Sequence, residues 1–168
     1  ASGTARIIDL HKAGVNVALG TDGPASGNDM DLWLAMRLAG YAQKNTSHDP
    51  TVMPALEVLR MATINGAKAL HVDHLIGSLE VGKAADIVVL DADSPSLTPV
   101  FDPHVAIVAA AGRADVSTVV VNGRVVVRDK RALTINHEQT VQRVRELGSK
   151  VMAAVAEVER NQIGRAHV

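Results

Sequence analysis

The 168-residue chain has no cysteine. Disulfides and thiolate-held metals therefore play no part in it, and a reducing compartment suits it. Aromatic residues are nearly missing: one Trp, one Tyr and one Phe. Stacking on nucleic-acid bases is not expected as its mode of action, and the core has to be aliphatic. An excess of one charge is missing too, with Lys+Arg 17 against Asp+Glu 18. No basic or acidic run addresses a phosphate backbone or a membrane surface. No apolar run reaches the roughly 20 residues that span a bilayer. Neither a nucleic acid nor a membrane is expected as a partner, and a cytoplasmic location is. What is present is apolar: 47% hydrophobic residues, enough to bury a core in one domain or parts of two.

One stretch organises the rest. Val15-Asn16-Val17-Ala18-Leu19-Gly20-Thr21 is nearly continuous in apolar residues and ends on Asp22-Gly23. Such a run suits a strand buried on both faces of a parallel sheet. A polar residue at the carboxyl end of a strand in an α/β barrel points into the active-site mouth, which makes Asp22 the leading candidate for chemistry. The expected neighbours follow in order. A helix capped by Thr4 runs to Lys12 and stops at Gly14. After the polar loop from Gly23 to Asp31, Asp29 or Asp31 caps a helix with Leu32, Ala35, Met36 and Ala39 on one face. Pro54 opens a further helix carrying Ala55, Val58, Leu59 and Ala62, which Asn65-Gly66 interrupts.

Beyond about residue 74 the texture turns to β. Ile76 to Lys83 is punctuated by Gly77 and Gly82, and Ala85 to Leu90 reads as a strand. Ser94 to Pro103 holds three prolines and reads as a loop, and His104 to Ala111 as another strand. Val116–Val121 and Arg124–Arg128 flank Asn122-Gly123, a strong hairpin signal. From Glu138 to Glu159 a helix is expected. Its stripe of Val141, Val144, Val151, Val155 and Val158 is expected to pack on the chain's own body.

Hydrolysis at neutral pH needs an activated water. A divalent metal lowers the pKa of its water to about 7, and a carboxylate touching metal and water can carry the proton. Asp22 between Gly20 and Gly23 suits that role, and it equally suits the ordering of a turn, since Asp before Gly is common there. Ser26 and Asn28, on the loop that follows, could meet polar groups of a substrate or simply bond within the loop. His71 and His74 stand three apart with no third ligand, and His11, His48, His104, His137 and His167 are scattered. Gly77, Gly82 and Asp86 read as structural, with Asp86 ordering a turn. No phosphate-loop spacing occurs.

Several segments together resemble a family. Gly20-Thr21-Asp22-Gly23, Ser26-Gly27-Asn28-Asp29-Met30-Asp31, Ala62-Thr63-Ile64-Asn65-Gly66-Ala67, Ile76-Gly77-Ser78-Leu79-Glu80-Val81-Gly82-Lys83-Ala84-Ala85-Asp86 and Val121-Asn122-Gly123-Arg124-Val125-Val126 occur in this order in metal-dependent amidohydrolases. The likeness is nearest to the 5-methylthioadenosine/S-adenosylhomocysteine deaminases and related chlorohydrolases. It implies an α/β fold: the C-terminal end of a (β/α)8 TIM barrel plus part of a small β-sandwich. It implies one divalent metal ion, usually zinc, and matches Asp22 to the family's Asp on the eighth strand, a metal ligand. The family's remaining ligands include a His-x-His pair, which does not occur here.

The chain is therefore expected to be a C-terminal fragment, in line with its start at Ala1. Residues 1–74 would be the barrel part, 75–136 the sandwich share, 137–162 a C-terminal helix and 163–168 a non-native tail. Taken alone, the first part should expose sheet edges and apolar faces. The function implied is hydrolytic deamination of a purine nucleoside, a small-molecule substrate, with room for a homo-oligomer. The alternatives are a chlorohydrolase or guanine/triazine-type aminohydrolase of the same superfamily, and a non-catalytic α/β binding module.

Overall fold

The computed structural model describes residues 3–165, with side chains up to residue 160. The chain divides into two compact units, Ala1–Lys130 and Arg131–Val168. The first is a helical layer followed by an antiparallel sheet. Its helices are α1 (Ile7–Lys12), α2 (Pro24–Gly27), α3 (Leu32–Ser47), α4 (Ala55–Met61) and α5 (Ile64–Ala69). After strand β1 (Ile87–Leu90) come the short helix α6 (Pro103–Val105), strand β2 (Val116–Val121) and strand β3 (Arg124–Arg128). The second unit holds the two-residue strand β4 (Arg131–Ala132) and the long helix α7 (His137–Arg165).

The core of the first unit is small and rich in methionine. Ile7, Met36, Met53, Val58, Met61 and Val108 form it, with Val58 1% and Met61 0% exposed. An aliphatic core was expected, yet three of the five methionines lie in this cluster. Unbranched thioether side chains fill the irregular gaps between short helices, and each such burial contributes about 1.5–3 kcal/mol. The expected helical stripes point here: Met36 is buried with Leu32, Ala35 and Ala39 half-buried beside it, and Val58 is buried between Ala55, Leu59 and Ala62. Asp31 is the residue that caps α3, its carboxylate accepting from the Trp33 and Leu34 N–H groups at 2.9 and 3.3 Å.

Five local expectations are corrected. Residues 15–22 are extended but belong to no strand among the described residues. A parallel strand needs neighbours on its edges, and no other strand of the described chain pairs with it. Val17 and Leu19 are half-buried while Val15 and Ala18 are exposed, so the run is not covered on both faces. Residues 103–110 are helical rather than a strand: α6 passes into a π-helical turn, Ala106–Ala110. Asp102 starts it by accepting from the His104 and Val105 N–H groups at 2.8 and 3.1 Å, with Pro103 at the first position, where its missing N–H costs nothing. Asn65-Gly66 does not interrupt a helix but lies inside α5, and Thr4 does not cap α1, which starts after Arg6. In α7, where a buried stripe was expected, Val144, Val151, Val155 and Val158 are exposed.

Other expectations stand. The hairpin joins β2 to β3 with Val121 opposite Arg124. Asn122 and Gly123 both take positive φ, 47° and 75°, as a two-residue turn of the I′ kind requires. Asp86 orders that turn by accepting from the Asn122 N–H at 2.6 Å. β1 pairs antiparallel with β2, Ile87 opposite Val120. Apolar side chains of residues 1–74 are exposed as anticipated: Leu38, Tyr41 and Leu70 all lie open. Residues 163–165 continue α7, and the tail at 166–168 lies outside the described residues. Among the described residues no helix is long and apolar enough to cross a membrane.

Two details generate tests. Gly77 has φ +92°, and a Cβ there would lie 2.7 Å from the Ala67 Cβ and 3.1 Å from the Ile64 Cα. Gly77→Ala should therefore destabilise the chain by about 2 kcal/mol or more, read as a lower urea midpoint; an unchanged midpoint would contradict the packing of this turn on α5. The buried Asp115 accepts hydrogen bonds from Ser94, from Ser96 at 2.7 Å and from the Gly112 N–H at 2.8 Å. These bonds, the Ser94 hydroxyl first, hold its carboxyl below the usual carboxylate range. A depressed folded-state pKa stabilises fully above the unfolded value and fades as pH falls through the folded one. Asp115→Asn should cost about 1–3 kcal/mol at neutral pH and show a shallower loss of stability below about pH 4 than the parent; equal acid slopes would contradict this.

Candidate functional site

The extended segment 15–22 is held at three points by the α4–α5 pair. The Leu19 N–H donates to the Met61 carbonyl at 2.9 Å. Asn16 Nδ2 donates to the Asn65 carbonyl at 2.9 Å, and Asn65 Nδ2 donates to the Val17 carbonyl at 3.0 Å. The two asparagines thus take the place of a ladder, satisfying backbone and side chain on both sides. The segment ends on Asp22, which is exposed and has φ 58°. Asp tolerates the left-handed region better than most residues, and the turn redirects the chain into α2.

Around Asp22 the loop folds back on itself. Its Oδ1 accepts from the Gly23 N–H at 2.7 Å. The Gly23 N–H and the Ser26 hydroxyl hold the carboxyl below the usual carboxylate range, so it is ionised at neutral pH. Asn28, φ 58°, closes α2 with its N–H on the Pro24 carbonyl at 2.9 Å. The structure therefore brings Asp22 and Ser26 together, while Asn28 ends the same turn and is exposed. Taken alone, the bond to Gly23 is what a turn-ordering Asp makes. The exposed, ionised carboxylate also remains available to a ligand.

A zinc site takes three or four ligands. Among the described residues no group of three or more His, Asp or Glu comes together. Asp22 fits such a site as one hard, deprotonated ligand, and the described chain does not supply the set. His71 and His74 are both exposed. His11 lies 3.8 Å from Glu57, an ion pair between α1 and α4 when the imidazole is protonated.

A cavity of about 520 Å³ lies elsewhere, between α3, α4 and β1, with Trp33, Met36, Leu59 and Ile87 in its wall. Asp22 is not in its lining. Its lining includes Thr63, Ser78 and Asp86, each engaged elsewhere: Asp86 accepts from the Asn122 N–H, Ser78 bonds Glu80 and Lys83, and Thr63 donates to the Leu59 carbonyl.

Sequence reasoning missed the residues that hold this loop from outside. Arg113 Nη1 bonds Asp29 Oδ1 at 3.1 Å. Trp33 Nε1 donates to the Ile107 carbonyl at 3.0 Å and Arg37 Nη1 to the Ala111 carbonyl at 2.8 Å. The partners lie 74 to 84 positions apart, a distance over which no local pattern carries a signal. Asn65 stood in a noticed motif, and only the structure gives it this task.

An extended segment ending on an ionised carboxylate is backed by helices and followed by a small antiparallel sheet. The amidohydrolase family model matches residues 1–126, and the chain belongs to that family. It is 43% identical over 155 residues to a 5-methylthioadenosine/S-adenosylhomocysteine deaminase of Desulforudis audaxviator (strain MP104C), covering 92% of this chain and 36% of that one. Among solved structures it is similar to a zinc-bound adenosine deaminase from Xanthomonas campestris, with TM-score 0.87 and 34% identity over 90% of this chain and 35% of the other. It is also similar to a zinc complex of atrazine chlorohydrolase from Arthrobacter aurescens TC1, with TM-score 0.78 and 34% identity over 86% and 32%. The chain spans about a third of the length of the curated relatives it matches.

Proposed function

We propose that this chain is the carboxyl-terminal part of a metal-dependent deaminase that removes the amino group of a purine nucleoside of the methylthioadenosine, S-adenosylhomocysteine or adenosine type. In this reading residues 1–74 complete a (β/α)8 barrel, residues 75–136 contribute to a β-sandwich and residues 137–162 form a closing helix. The observation that carries it is Asp22: an exposed, ionised carboxylate at the end of an extended segment. The likeness to nucleoside deaminases supports the substrate class. The zinc in the related structures supports one divalent ion, for which Asp22 would be a ligand.

The metal supplies, when bound, a water whose pKa is lowered to about 7. Asp22 would be one ligand of that ion, and its carboxylate would carry a proton from the water that adds to the ring carbon to the departing amine. Water is consumed and ammonia released. The Gly23 N–H and the Ser26 hydroxyl keep the Asp22 carboxylate ionised before it accepts a proton. Ser26 and Asn28, on the first turn after it, are the side chains of this loop best placed to meet a substrate's polar groups. The likeness to a chlorohydrolase favours, as second reading, displacement of chloride from an electron-poor ring by the same groups.

The test uses the longer protein to which this chain is assigned, loaded with zinc or manganese. Ammonia release from methylthioadenosine, S-adenosylhomocysteine or adenosine is expected, and none from any of them would sink the substrate class. Asp22→Asn should lower kcat by about 10²–10⁴-fold and reduce bound metal with little change in unfolding midpoint. Full activity and full metal content in that variant would remove Asp22 from the site.

A further inference from the structure

The loop from Gly23 to Asp31 leaves directly from Asp22 and is anchored at its far end by one side chain from a distant segment. Arg113, in the short 3-10 turn before β2, reaches back across the sequence. Its Nη1 bonds Asp29 Oδ1 at 3.1 Å, and its Nε lies 4.0 Å from Asp31 Oδ2. Asp31 is already committed through Oδ1 to capping α3, so Arg113 engages its second oxygen. Asp29 Oδ1 also accepts from the Met30 N–H at 2.7 Å. Behind this point, Trp33 and Arg37 attach the same side of α3 to the carbonyls of Ile107 and Ala111. The segment 107–113 thus forms a rail, and Arg113 is its one charged contact with the loop.

We propose that Arg113 is a positioning residue that holds the Gly23–Asp31 loop, and with it Ser26 and Asn28, in the shape that meets the substrate. This rests on the reading of Asp22 as part of a deaminase site. Arg113 touches no reacting atom. Its effect is on how often the loop is in the binding shape, since the loop is already fixed at its near end by the Asp22–Gly23 bond and by the turn of α2. The pair with Asp29 is largely exposed, 72% for Arg113 and 34% for Asp29, and pairs of that kind are worth little individually. The signature is therefore a modest change in KM rather than loss of chemistry.

The test has two arms. In the first, hydrogen exchange is followed in the longer protein with and without Arg113→Ala. Faster exchange across 23–31 with unchanged exchange in α4 is expected, and unchanged exchange across the loop would overturn the proposal. In the second, the longer protein carries the same variant. KM for the nucleoside should rise about threefold to fivefold, with kcat and metal content unchanged. Exchanging the pair, Arg113→Asp with Asp29→Arg, should bring KM back toward the parent value. A fall in kcat together with a lower unfolding midpoint would mark Arg113 as merely structural and overturn the proposal. A parent protein that deaminates nothing would overturn the functional reading instead, and the exchange arm would then decide the tether by itself.

Discussion

Everything proposed for this chain depends on how the extended segment 15–22 is held without strand neighbours. The Leu19–Met61 backbone bond and the Asn16–Asn65 exchange fix it to α4 and α5. α4 is itself fixed by the burial of Val58 and Met61, and α5 by that of Ala67. A backbone run with one edge unpaired loses little if it is solvated, but its end position is then free to wander. Three bonds to a packed helical pair remove that freedom and set where Asp22 stands. The core therefore sets the position of the carboxylate, although no core residue touches it.

Asp22 is shaped again from the other side. The left-handed backbone at Asp22, the Gly23 N–H and the Ser26 hydroxyl aim and ionise the carboxylate, while α2 and Asn28 turn the chain away. The rail at 107–113 receives the loop where it enters α3. The antiparallel sheet does no chemistry in this account. Its role is to continue the chain from that rail, with Asp115 binding the serine loop to the start of β2.

What could be read from the sequence divides along the range of the interactions involved. The β2–β3 hairpin, the cap at Asp31, the faces of α3 and α4 and the turn-ordering role of Asp86 are local patterns, and they were legible. The strand expected at 15–22 was not realised, because strand character depends on partners the described chain does not provide. Residues 104–111 read as a strand. Asp102 and Pro103 started a helix there instead, and propensity gave way to capping. Asp22 was legible as a candidate because its motif is contiguous. Arg113, Trp33, Arg37 and Asn65 were not legible in their roles, since each acts through a partner roughly fifty to eighty positions away.

The central claim is that Asp22 is a metal ligand. The most direct measurement is the metal's position in crystals of the longer protein grown with zinc, located by anomalous scattering. The account predicts a carboxylate oxygen of Asp22 at about 2.0–2.2 Å from the ion, with the Gly23 N–H still on the same carboxylate. A fully occupied metal site with Asp22 turned away from it, bonded only within its own turn, would contradict it.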